Sequence, residues 1–94
     1  MKLLWTPLAG HHLEAAHDYL AQNGPTAAED MIERIVSAVQ VLKQHPQMGR
    51  KGRVRGTREL VIAGTPFVVA YRLRPDQIEI LAVMHGARRW PDRL

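Results

Sequence analysis

The 94-residue chain contains no cysteine. That excludes disulfides and thiolate metal ligands and fits a reducing compartment. No apolar run is long enough to cross a membrane. The opening stretch MKLLWTPLAGHHLEAAHDYL offers no signal-peptide core, because Pro7, His11, His12 and Glu14 interrupt it. A soluble, cytoplasmic protein with no membrane partner is expected. Catalytic motifs of fixed spacing are missing too: there is no GxGxxG, Walker loop, GxSxG or well-placed carboxylate pair. His11, His12 and His17 share one stretch, but none are spaced as in HExxH, so neither a metal nor any other cofactor is expected. Few serines or threonines lie outside caps and turns, and none stands beside a candidate base.

Acidic groups are scarce in the second half of the chain. Residues 1–49 carry three basic and five acidic groups, a net of −2, whereas residues 50–94 carry ten basic and four acidic, a net of +6. Such a split points to a face adapted to an anionic partner: nucleic acid, a nucleic-acid machine or an acidic protein. The apolar fraction of 46% is that of a folded protein. The length allows one domain. A domain this small buries only about two-thirds of its unfolded surface, so a partner would add useful stability.

The apolar periods give an order of elements. Residues 2–5 read as a short strand. Thr6 suits a helix N-cap with Pro7 at the first helical position, and Ala9, Leu13, Ala16 and Leu20 form the stripe of a first helix. Asn23, Gly24 and Pro25 stop it, Gly24 being suited to a left-handed C-terminal cap. Thr26 and Glu29 have the spacing of a capping box for a second helix. Its stripe is Ala28, Met31, Ile32, Ile35, Val39 and Leu42, and it ends before His45 and Pro46. The short connection makes the helices antiparallel neighbours. Residues 47–56 read as a loop. Strands follow at 58–63, 67–74 and 77–84, with turns so short that the three must form an antiparallel meander. On the middle strand Phe67, Val69, Tyr71 and Leu73 share one face. Val68, Ala70, Arg72 and Arg74 share the other, with the two arginines where that face becomes solvated. The expected fold is α+β: an N-terminal strand, then a helical hairpin packed on an antiparallel sheet that ends in the meander. The place of the first strand in the sheet is open.

Two clusters could carry function. Arg50, Lys51, Arg53, Arg55 and Arg58 lie within nine residues, with no acid before Glu59. Such cations bind phosphates, and arginine also grips a carboxylate with paired hydrogen bonds. The second cluster, His85, Arg88, Arg89 and Trp90, follows the last strand. His85 could serve as an acid or base near neutrality, or as a hydrogen-bonded structural residue. Trp90 could stack on a base or pin the tail. In a three-strand meander the outer strands run parallel, which puts Arg58 and His85 at opposite ends.

With these segments in this order, the chain resembles the RelE/ParE superfamily of toxins from type II toxin–antitoxin, or plasmid-stabilisation, modules. The likeness rests on QHPQMGRKGR, GTRELVI, GTPFVVAYRL and IEILAVMHGARRWP, and covers nearly the full length. It implies the fold above, growth inhibition, and a cognate antitoxin as partner, acidic or amphipathic, contacting the helical hairpin groove and the basic face. The RelE-like branch implies a ribosome-dependent endoribonuclease acting on mRNA, with Arg53, Arg55, Arg58, His85 and Arg88 as its catalytic groups. The ParE-like branch implies an inhibitor of DNA gyrase. In that branch Arg50, Lys51, Arg53, Arg55, Arg58, Arg72, His85, Arg88, Arg89 and Trp90 form a target-binding surface. RelE toxins carry an arginine three residues before the tyrosine of the middle meander strand; here Tyr71 is that tyrosine and Val68 stands in the arginine's place. The catalytic tail tyrosine of RelE has no counterpart after Tyr71. A tail arginine is matched by Arg88 or Arg89, and the basic loop by Lys51, Arg53 and Arg55. These departures favour the ParE-like branch.

Overall fold

The computed structural model describes residues 1–86. Seven elements run in the order β1 (Lys2–Trp5), α1 (Pro7–Ala21), α2 (Pro25–Val41), β2 (Arg50–Lys51), β3 (Arg58–Val61), β4 (Phe67–Leu73) and β5 (Gln77–His85). The strands form one sheet in the order β1-β5-β4-β3-β2. Strands β3, β4 and β5 make the expected antiparallel meander. β1 settles beside β5 and runs parallel to it, so the sheet is mixed rather than wholly antiparallel. Among the described residues no helix is long and apolar enough to cross a membrane.

Thr6 caps α1 as its sequence position predicts: its hydroxyl accepts the Ala9 N–H at 3.2 Å and donates to the Ile80 carbonyl at 2.9 Å. One side chain thus starts the helix and ties it to the sheet. The start of α2 differs from expectation. Gly24 is its N-cap, with φ of 121°, Pro25 opens the helix, and no side-chain hydrogen bond caps it. The Thr26–Glu29 capping box is therefore not formed, and the C-cap of α1 is Gln22 instead of Gly24. The reason is local. Proline has its φ preset for the first helical position and no N–H to satisfy there, so the helix begins one residue before a threonine could cap it.

Both helices lie against one face of the sheet. Ala9, Ala16, Ile35, Val39 and Leu42 pack on Leu60, Phe67, Val69, Tyr71, Ile78, Ile80 and Val83. The opposite face holds a smaller buried cluster of Ala70, Leu81, Ala82 and Met84. A register shift separates the two. Tyr71 pairs with Ile80 and Ala70 with Ala82, which leaves Leu81 unmatched. This bulge resets the alternation of β5, so Ile78, Ile80 and Val83 share the helix-facing side while Ala82 and Met84 turn away.

The strand ends shift slightly from the sequence expectation. β3 stops at Val61 because the Ile62 N–H already bonds the Phe67 carbonyl across the turn, which the Thr65 hydroxyl braces by accepting the Phe67 N–H. β4 ends at Leu73, and β5 runs on to His85. The expected loop at 47–56 contains the two-residue strand β2, which pairs Arg50 with Glu59 and Lys51 with Arg58.

Candidate functional site

The basic stretch is bolted to the sheet at both ends. At its start, the Tyr71 hydroxyl accepts the Gly49 N–H at 2.9 Å and donates to the Pro46 carbonyl at 2.8 Å. Tyr71 is fully buried, and that burial pushes its phenol pKa upward, against the opposing pull of the Gly49 N–H and the Arg58 charge. Gly49 must be glycine. A Cβ there would sit 2.7 Å from both the Tyr71 ring and its hydroxyl and 2.8 Å from the Glu59 carbonyl oxygen. Arg58 belongs to the same brace, donating to the Gly49 carbonyl at 2.7 Å and the Gln47 carbonyl at 3.3 Å.

The middle of the stretch is organised by Glu59. One carboxylate oxygen accepts from Arg50 Nη2 at 3.0 Å and Nε at 3.3 Å; the other accepts the Arg53 N–H at 3.1 Å. The far end closes in a turn, where the buried Thr57 donates both its N–H and its hydroxyl to the Val54 carbonyl. Gly56 takes φ of 81° in this turn, a conformation that favours glycine. The tip between these ties is exposed. Lys51, Arg53 and Arg55 have no side-chain hydrogen bond or ion pair among the described residues.

Arg58 and His85 do lie at opposite ends of the meander. Arg58 is level with Tyr71 and His85 with Phe67, four residues apart on β4, or about 13 Å. Yet part of the loop reaches the His85 end. Arg50, Arg53 and Glu59 wall a small hollow of ≈ 70 Å³ over Val68 and Met84, closed at the strand end by His85 and Gly86. Its lining is mostly polar, with Val68 and Met84 as the apolar side chains. The His85 imidazole stands edge-on to the Phe67 ring, with centroids 6.0 Å apart. Strand alternation puts that ring on the side away from Met84. The structure thus brings Arg50, Arg53 and the end of β5 together and leaves Arg58 apart.

The remaining candidates are scattered. Arg72 is half-buried on β4 with no partner among the described residues, whereas Arg74 pairs with Glu79 at 3.0 Å. Arg88, Arg89 and Trp90 lie outside the described residues.

Two residues that sequence reasoning passed over matter here. Glu59 is the first acid after Glu33, and its isolation within a basic stretch was a signal that it serves that stretch. His12 gave no such signal. Its Nδ1 accepts the Val83 N–H at 3.1 Å, beyond the point where β1 stops covering the edge of β5. The ring must be neutral at that nitrogen to accept. Burial, and the neighbouring His11, lower its pKa below the usual 6.5.

Proteins similar to this chain in sequence or fold bear the names of toxins or come from a toxin–antitoxin system. A family model described as "ParE toxin of type II toxin-antitoxin system, parDE" matches residues 3–90. A protein of Sinorhizobium fredii described as "Putative toxin Y4kP" is 40% identical over 93 residues, covering 99% of this chain and 96% of its own length. Toxin RelE2 of Caulobacter vibrioides is 33% identical over 87 residues, covering 93% of this chain and 97% of its own. A solved chain of the chromosomal ParDE TA system from P. aeruginosa superposes with a TM-score of 0.85 at 32% identity, covering 90% of this chain and 95% of that one. The chain therefore belongs to the ParE toxin family of type II toxin–antitoxin systems, within the RelE/ParE superfamily.

Proposed function

We propose that this chain is a ParE-like toxin that inhibits DNA gyrase by docking on it, and that a cognate antitoxin neutralises it. The carrying observation is the buried Val68 in the lining of the hollow. Cleavage of a phosphodiester by the ribose 2′-OH needs cations at the developing phosphorane charge and a group to protonate the leaving oxygen. The resemblance would put one such cation at Val68, which is buried beside Met84. Of the rim cations, Arg50 is held by Glu59. The His85 ring packs on Phe67 on the other side of the strand. A buried valine where the cation would stand, beside an arginine already held in an ion pair, suits docking better than catalysis. The match to the ParDE chain supports the same reading.

A second reading has support in the likeness to toxin RelE2: a ribosome-dependent endoribonuclease using Arg53, Arg55, Arg58, His85 and Arg88. One pair of assays separates them. Purified protein with gyrase and supercoiled plasmid is expected to accumulate stabilised double-strand breaks. Codon-positioned cuts in ribosome-bound mRNA, abolished by His85→Ala or Arg88→Ala, would instead establish the ribonuclease.

A further inference from the structure

The five cations of the basic stretch are not equivalent. Arg58 is tied to the Gln47 and Gly49 carbonyls, and Arg50 to the Glu59 carboxylate. Arg53 and Arg55, on the exposed tip, carry guanidinium groups without partners among the described residues. The turn bonds of Thr57 to Val54 and Gly52 close the tip on itself, and the second oxygen of the same carboxylate ties it to β3 through the main-chain N–H of Arg53. The Glu59 side chain is only 11% exposed, against 65% for Arg50. A carboxylate shielded to that degree and bonded to both an arginine and an amide is a fixed point, unlike an open surface ion pair.

We infer that Glu59 is a positioning residue: it fixes the loop backbone so that Arg53 and Arg55, rather than Arg50 and Arg58, meet the anionic groups of the toxin's target. The inference rests on the docking reading for the identity of the target, but its test does not depend on it. Holding the loop beforehand removes the ordering cost that a free arginine loop would bear on binding. Glu59 therefore aids the interaction although its own charge opposes an anionic partner. That opposition makes the inference separable from a simple charge effect. Both E59A and E59Q remove the same negative charge, but only the glutamine retains an oxygen to accept the Arg53 N–H.

The test uses the full-length chain and four variants: E59A, E59Q, R50A and the double variant R53A/R55A. The loop is read without any target, by hydrogen exchange of the Arg53 amide in NMR and by trypsin cleavage within residues 50–56. In the parent that amide is expected to be protected by its bond to the carboxylate. E59A is expected to lose the protection and to be cut at least several-fold faster. Function is read as growth arrest on induction in a bacterial host. E59A and R53A/R55A should need roughly ten-fold more toxin for the same arrest, while E59Q recovers most of the loss and R50A is milder. The thermal midpoint, measured in parallel, should not track this order. Equal toxicity of E59A and the parent overturns the inference, as does an E59Q no better than E59A. So does an Arg53 amide that exchanges as fast in the parent as in E59A. Arrest without gyrase cleavage complexes overturns the gyrase reading alone, and the variant order still decides the role of Glu59. A parent chain that arrests nothing overturns both.

Discussion

Single side chains bridge distant parts of this chain. Tyr71 joins the middle strand to the segment after α2 through two hydrogen bonds made by one hydroxyl. Tyr71→Phe keeps the ring and strands the Gly49 N–H and the Pro46 carbonyl. An unpaired buried polar group costs about 1–3 kcal/mol, so the unfolding free energy from urea denaturation should fall by an amount in that range. His12 makes the equivalent bridge from α1 to β5. Its folded pKa is lowered, so the neutral form is the one that stabilises. That contribution is fully present above pH 6.5 and is lost as pH falls through the folded value. Urea unfolding of the parent and His12→Ala at pH 8 and at pH 5 checks this. The variant should be less stable by about 1 kcal/mol at pH 8, and the gap should shrink at pH 5.

At the scale of elements, the helices were legible and the loop was not. The stripe of α2 appears in the core as its 3.6-residue period requires, with Ala28, Ile35, Val39 and Leu42 all fully buried. The start of α2 departs from the Thr26–Glu29 spacing because the neighbouring Pro25 takes the first helical position. The loop at 47–56 has no apolar period, so nothing in it announced β2. Its conformation is imposed by groups 10 or more residues away in some cases, such as Tyr71 on Gly49 and Arg58 on Gln47. Gly49→Ala should therefore harm the whole element. With the Tyr71 ring and the Glu59 carbonyl both in the way, the strain should destabilise by about 1–3 kcal/mol in urea unfolding. It should also raise trypsin cleavage in the loop.

For the molecule as a whole, charge asymmetry becomes geometry. The helices carry the acids of the first half, and the basic stretch sits at the β2 edge of the sheet. On the docking reading, association with gyrase should slow as salt is raised, because exposed charges are screened beyond roughly 10 Å at 0.1 M. Replacing Arg53 and Arg55 with alanine should flatten that salt dependence while leaving Arg50 and Arg58 bonded as they are. Association rates measured across a salt series check it. If the slope is carried equally by all five cations, the division between braced and presented arginines is wrong.

The sequence alone determined what depends on near neighbours: the helix periods, the Thr6 cap, the short turns that force a meander, and the sign of each half's charge. The family likeness was legible for the same reason, since it rests on segments kept in order. Tertiary structure decided what depends on distant groups. The parallel seat of β1 comes from pairing with a strand more than 70 residues away. The bulge at Leu81 turns one apolar run toward two faces, which no alternation rule reads from a string of Ile, Leu, Ala and Val. The basic cluster, uniform as a sequence, is sorted by Glu59, Tyr71 and the Gly49 carbonyl into arginines that brace and arginines that present. That sorting needs hydrogen-bond geometry, and composition carries none.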